Sequence, residues 1–110
     1  MQTLLFIYIV GGLLLVLIAL PLIAGKIKPN LYYGFRVPTT LKNPEIWYAT
    51  NKHFAERLLI SAVIEIAVAI GLYFWPNISV DVYALSILGV FVITSAVAFI
   101  QSWRYMKTLS

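Results

Sequence analysis

The sequence predicts an all-α integral membrane protein with three transmembrane helices and a cytoplasmic interfacial loop or helix between the first two. Composition is the first observation: the 110-residue chain is 62% hydrophobic and 11% charged, whereas about a quarter of the residues of a soluble domain are charged. The second is the presence of three long apolar segments, since about 20 apolar residues in a helix cross the hydrocarbon core. This length allows one membrane domain, residues 1–110.

The predicted spans cover residues 4–24, 58–75 and 82–103. The first has no charge, and its Gly11 and Gly12 permit the close approach of another helix. The second carries one ionisable residue, Glu65. A short turn joins the second and third, which predicts an antiparallel hairpin, with Asp81 as the N-cap of the third.

The positive charges predict the orientation, because short cytoplasmic loops accumulate Lys and Arg. Six of the eight lie in the loop of residues 25–57, and Arg104 and Lys107 follow the third span. Three spans place this loop and the C-terminus on the same side. We therefore expect a multi-pass protein of the inner (plasma) membrane, with its N-terminus outside and the loop and C-terminus in the cytoplasm.

The first half of the loop is rich in turn-forming residues, namely Pro29, Asn30, Gly34 and Pro38. They exclude a long helix and predict an irregular, compact excursion. Its aromatic residues, Tyr32, Tyr33 and Phe35, are expected at the depth of the lipid headgroups, where aromatic side chains are enriched.

The second half of the loop has a helical pattern. Asn43 is a suitable N-cap and Pro44 fits the first helical position. Apolar residues at spacings of three and four then favour an amphipathic helix that lies on the cytoplasmic surface and bends into the second span. The alternative is a single continuous helix of about 32 residues that projects roughly 20 Å beyond the membrane.

A set of short motifs stands in order between the first two spans: Lys28-Pro29-Asn30, Tyr33-Gly34-Phe35-Arg36, Pro38, Thr40-Leu41, Glu45, Trp47 and Asn51. In this order they resemble the characteristic region of the SdpI family of bacterial membrane proteins, named for an immunity protein against a secreted killing factor. Each piece is weak alone, and the ordered set is more specific. Longer family members add spans upstream, so the resemblance implies the SdpI domain alone.

The resemblance implies a non-enzymatic immunity or signalling protein, since the best-known family member both protects its cell and recruits a repressor to the membrane. The loop would be a basic docking platform shaped by Arg36, Trp47 and Asn51. Expected partners are membrane lipids and a protein, either a toxin, a repressor or a larger membrane complex, without direct nucleic-acid contact; an oligomer is compatible. The alternative function is a small accessory subunit of a respiratory or photosynthetic complex.

Glu65 lies roughly 10 Å into the second span at helical rise, where a carboxylate is costly. It could be a proton or cation site, or a lock for a ligand. We favour a structural Glu65 that is protonated or hydrogen-bonded to the polar residues of the third span, Thr94, Ser95 or Gln101. No second intramembrane charge is present to complete a relay.

The remaining candidate residues have structural and functional interpretations. Arg36 would clasp Glu45 or Glu56, or hold a lipid phosphate. For Trp47, membrane anchoring is favoured over contact with a protein partner. His53 is interpreted as a surface residue, with pH sensing as the alternative. No enzyme signature, metal site or cofactor site is recognised in the sequence.

Overall fold

A computed structural model of the chain describes residues 2–30 and 34–109. The described residues form four helices: α1 (Gln2–Ile23), α2 (Pro38–Lys42), α3 (Pro44–Tyr73) and α4 (Val80–Leu109). They contain no strand, so the predicted all-α class is confirmed for this part of the chain.

Two helices, α1 and α4, are long and apolar enough to cross a membrane. The third long helix, α3, is more polar than α1 and α4. Even its most apolar stretch of 18 residues, about the length needed to cross a membrane, includes the charged residues Glu56, Arg57 and Glu65. Two helices of this length and composition are typical of a membrane protein, while the crossing of α3 stays a prediction.

The central helix of the bundle is α3, which packs against α1, α2 and α4. Ala55, Ala62 and Ala69 recur every seven residues along α3 and are fully buried. Near one end Ala55 packs with Ala19 of α1, and near the other Ala69 packs with Tyr83 of α4. Small side chains let neighbouring helices approach closely, and the result is an elongated bundle of 51 × 23 × 18 Å.

The ends of the helices are fixed by local capping. Asn43 is the N-cap of α3 as predicted, and its side-chain oxygen accepts a hydrogen bond from the Glu45 N–H at 3.0 Å. The predicted N-cap of α4 is wrong: Ser79 takes that role, with its Oγ accepting from the Val82 N–H at 3.2 Å. Asp81 lies in the first turn, where its charge still complements the helix dipole.

Residues 44–73 form one continuous 30-residue helix, about 45 Å long at 1.5 Å per residue. The prediction of an amphipathic surface helix that bends into the second span is therefore wrong. The alternative of a single continuous helix is confirmed, while its projection beyond the membrane stays a prediction. Residues 45–70 contain no Gly or Pro to interrupt the helix. Moreover, α4 continues to Leu109 and gives the first half of α3 a packing partner, since Ile46 and Met106 share one buried cluster.

Candidate functional site

The loop begins with a tight reversal at the end of α1. Gly25 has a φ of +70°, which a residue with a side chain rarely adopts. The Lys26 N–H donates to the Pro21 carbonyl at 3.0 Å, and the Gly25 N–H to the Leu22 carbonyl at 3.2 Å. This pair of bonds is the Schellman motif, and it satisfies the last carbonyls of α1 while turning the chain towards α3.

Trp47 fastens the start of the loop to α3. Its indole is fully buried, and its Nε1–H donates to the Ile27 carbonyl at 2.8 Å. The interpretation of Trp47 as a membrane anchor is therefore wrong, because the ring lies inside the protein. Its role is to hold the loop backbone 20 residues before it in the chain.

Asn51, one helical turn after Trp47, holds the middle of the loop. Its Oδ1 accepts a hydrogen bond from the Phe35 N–H at 2.5 Å, and its Nδ2 donates to the Trp47 carbonyl at 3.0 Å. The side chain is 1% exposed, so water cannot replace these partners. A buried amide with both ends bonded fixes its surroundings in one arrangement.

Gly34 is required beside Asn51 for two reasons. Its φ of +106° favours glycine. In addition, a Cβ at this position would lie 2.6 Å from Asn51 Oδ1 and 3.3 Å from Trp47 Cη2. Any side chain would therefore push the loop away from α3.

Thr40 closes the arrangement from α2. Its buried hydroxyl oxygen accepts from the Val37 N–H at 3.0 Å and lies 2.9 Å from the Phe35 carbonyl. We call the residues of this connected set the loop clasp: Gly34, Phe35, Thr40, Trp47 and Asn51. Thr40 and Phe35 were not among the predicted site residues, although both belong to the ordered motifs of the loop.

The Phe35 ring lies between α3 and α4. Its centroid is 5.3 Å from that of Phe54 on α3, 5.2 Å from Phe99 and 6.4 Å from Trp103 on α4. The side chain is 3% exposed, so the ring packs inside the protein, while its predicted depth at the level of the headgroups stays a prediction. Aromatic contacts at these distances add to the energy of apolar burial, and they join the loop to both helices.

Arg36 follows Phe35 directly but is exposed. Within the part of the chain that the structure describes, it forms no ion pair with Glu45 or Glu56. The predicted ion pair of this guanidinium is thus not formed. The loop is instead held on α3 by the neutral hydrogen bonds of Asn51 and Trp47. Arg36 is left as a charge presented at the surface.

The other predicted loop residues have local roles. Asn30 Nδ2 donates to the Lys28 carbonyl at 2.8 Å, a turn within the loop. Pro38 is exposed at the first position of α2, where its fixed φ suits a helix start. Tyr32 and Tyr33, predicted at headgroup depth, lie outside the described residues.

Basic side chains collect at the end of the bundle that carries the loop. The exposed ones are Lys26, Lys28, Arg36, Lys42, Lys52, Arg104 and Lys107. The turn between α3 and α4, at the opposite end, contains no Lys or Arg in residues 74–79 and is followed by Asp81. The bundle therefore has one strongly basic end.

Glu65 faces α1 and not α4. It is 5% exposed, and its Oε2 has no hydrogen-bond partner among the described residues. A Cβ at Gly12 of α1 would lie 2.8 Å from this oxygen, so the glycine makes room for the carboxyl group. The predicted partner Thr94 instead bonds Ser61 at 2.5 Å, and the predicted contact of Glu65 with the polar residues of α4 is wrong.

His53 links α3 to α4 and is partly buried, although it still lines the protein surface beside Glu56 and Tyr105. Its Nδ1 lies 3.1 Å from Ser102 Oγ, and its ring stacks on Tyr105 with 4.5 Å between centroids. Burial lowers the pKa of His53, and the nearby Arg57 charge lowers it further, while Glu56 opposes both. The folded protein therefore favours the neutral imidazole. No group of three metal-binding side chains occurs among residues 2–30 and 34–109.

No curated protein and no solved structure gives a significant match to the chain. A family model does match, that of the SdpI/YfhL protein family, over residues 26–102. The matched region contains the whole loop clasp and most of the α3–α4 hairpin. It covers more than two thirds of the sequence, so the resemblance first noticed in the loop motifs is confirmed, and the chain belongs to the SdpI/YfhL protein family.

Proposed function

We propose that this chain is a non-enzymatic membrane immunity and signalling protein whose folded loop is a docking surface for a cytoplasmic protein. Membership of the SdpI/YfhL family suggests a membrane immunity-type protein. The observation that carries the docking role is the loop clasp. It holds the backbone of residues 34–35 on α3 while Arg36, Lys28 and Lys42 stay exposed beside it.

The proposal includes a three-span arrangement in which α3 crosses the membrane between α1 and α4. The polar side chains of its second half support this, because Glu65 lies against Gly12 and Ser61 is bonded to Thr94. The side chains of Glu65 and Ser61 can therefore both be kept away from lipid. The basic end of the bundle supports a cytoplasmic loop and C-terminus, since positive charge is retained on that side.

The mechanism of docking follows from charge and rigidity. A preorganised loop loses little conformational freedom when a partner binds, and exposed Lys and Arg steer an acidic surface towards it. The matching partner is a soluble protein with an acidic patch. A toxin would be met from the outer face or within the bilayer by the helices.

Immunity is tested by expression in a toxin-sensitive bacterial host. Cells that carry the wild-type chain are expected to survive toxin exposure better than cells with an empty vector. Equal survival, with the chain detected in the membrane fraction, would contradict the immunity role.

Docking is tested by mild-detergent purification from native membranes with a C-terminal tag, followed by mass spectrometry. We expect one soluble protein with an acidic surface to co-purify. Arg36→Gln should reduce its recovery, while Lys52→Gln, which removes the same charge from an exposed position of α3 outside the clasp, should not. Stoichiometric recovery with a large membrane complex would instead identify an accessory subunit.

The three-span arrangement is tested by thiol labelling, because the sequence contains no cysteine. Pro76→Cys, in the α3–α4 turn, should react with a membrane-impermeant maleimide in intact cells. Lys42→Cys, at the end of α2, should react only after the membrane is opened. Labelling of both positions from the same side would exclude the crossing of α3.

A further inference from the structure

An open groove runs between α3 and α4. Its volume is about 170 Å³, and no residue of α1 lines it. Its principal lining residues are Arg57, Ile60, Ile64, Ile93, Val97 and Gln101. The groove belongs neither to the loop clasp nor to the contact between Glu65 and Gly12.

The groove is polar at one end and apolar along its length. Arg57 and Gln101 stand at the end nearer the loop. From there Ile60 and Ile64 follow along α3, opposite Val97 on α4. The seven residues from Arg57 to Ile64 span about 10 Å at helical rise.

The polar atoms inside the groove are already bonded. Ser61 Oγ and Thr94 Oγ1 lie 2.5 Å apart, and Thr94 Oγ1 also lies 2.8 Å from the Val90 carbonyl. These groups leave little hydrogen-bonding capacity for an occupant. The interior of the groove therefore favours hydrocarbon.

Arg57 is the charged group at the open end. It is partly exposed and forms no ion pair with any described residue. Its neighbour Glu56 lines a different surface, together with His53 and Tyr105. A free guanidinium at the membrane interface is suited to bidentate contact with a phosphate.

We propose that this groove binds an anionic phospholipid, with one acyl chain between Ile64 and Val97 and the phosphate on Arg57, assisted by the Gln101 amide. The charge of the headgroup complements Arg57, and the acyl chain matches the apolar walls. The inference rests on the proposed crossing of the membrane by α3, which brings Arg57 to the level of the headgroups.

The test is native mass spectrometry of the full chain in detergent, titrated with phosphatidylglycerol or phosphatidylcholine of the same acyl composition. The wild type should bind one phosphatidylglycerol about fivefold or more tightly than phosphatidylcholine, as expected for one basic residue near an anionic headgroup. Arg57→Gln should lose this preference, while the charge-matched Lys52→Gln keeps it. Equal binding of the two lipids by the wild type, or equal loss in both variants, would overturn the proposal.

The role of the groove walls needs a second variant. Val97 is 46% exposed, so Val97→Trp fills the groove without entering the core, and circular dichroism checks that the helices persist. It should weaken phosphatidylglycerol binding although Arg57 is intact. Unchanged binding, or full competition by glycerol 3-phosphate, would restrict the site to a phosphate and overturn the lipid assignment. A chain dimer that Val97→Trp dissociates would assign the groove to a second copy instead.

Two combinations of results distinguish a failure of the lipid site from a failure of the proposed function. A wild-type chain that binds both lipids equally but gives normal toxin protection rejects the site and leaves the function standing. A clear lipid preference without any survival gain supports the site and rejects the function. Same-side thiol labelling in the topology test would reject both, since Arg57 would then not lie at a membrane interface.

Discussion

Substitution of Asn51 by Ala tests whether the loop clasp holds the loop on α3. The change removes the Oδ1 acceptor that lies 2.5 Å from the Phe35 nitrogen. It also removes the Nδ2 donor to the Trp47 carbonyl, but that carbonyl keeps the backbone bond of the helix. The buried N–H of Phe35 is thus the group left without a partner.

The cost follows from that single orphaned donor. A buried N–H that loses its acceptor costs about 1–3 kcal/mol. This energy corresponds to about a 5- to 150-fold increase in the equilibrium opening of the loop, since each 1.4 kcal/mol is a factor of about ten. The opening is local, so α1 and α4 are expected to keep their helical content.

Amide hydrogen exchange at Phe35, followed by NMR in detergent micelles, measures this opening. Asn51→Ala should accelerate exchange at Phe35 by the factor above, with the amides in the middle of α4 unchanged. Lys52→Ala, at the adjacent exposed position, is the control and should leave Phe35 protected. Unchanged exchange at Phe35 in Asn51→Ala, or the same acceleration in the control, would refute the role assigned to the clasp.

Three further predictions address other contacts. Gly12→Ala should destabilise the bundle by about 1–3 kcal/mol through overpacking against α3, whereas Gly11→Ala, with nothing within 4 Å of its Cβ, should not; detergent unfolding that ranks them equally would contradict this. Trp47→Phe should cost about 0.5–1.5 kcal/mol because the Ile27 carbonyl loses its donor, and an unchanged unfolding free energy would remove that bond from the clasp. Because the folded state lowers the pKa of His53 from 6.5, the unfolded chain binds more protons and stability should fall as the pH drops below about 6.5; His53→Gln should lack this loss in a pH series of unfolding.

Local signals in the sequence predicted local structure well. The N-cap of α3 was predicted correctly, because Asn43 bonds the N–H of a residue two positions later. The N-cap of α4 was misplaced by two residues, since Ser79 and Asp81 both suit that role and only the helix start decides between them. Composition together with the long apolar segments was sufficient to predict the all-α class.

Contacts between distant residues were not predictable. Trp47 and Asn51 were selected as loop residues, yet their partners lie 20 and 16 residues before them in the chain. No helical or strand periodicity connects such positions. Likewise Glu65 was predicted to contact α4, because α4 carries the nearest polar residues of the hairpin. The space for its carboxyl group comes instead from Gly12 on α1.

The position of Phe35 connects the loop to both long helices of the hairpin, α3 and α4. Its ring contacts Phe54 on one helix and Phe99 on the other, while its backbone is bonded to Asn51. A small change in the spacing or rotation of α3 relative to α4 would therefore displace the ring, and the rigid backbone would carry that displacement to Arg36. Phe35 therefore couples the relative position of α3 and α4 to the position of the Arg36 charge at the protein surface.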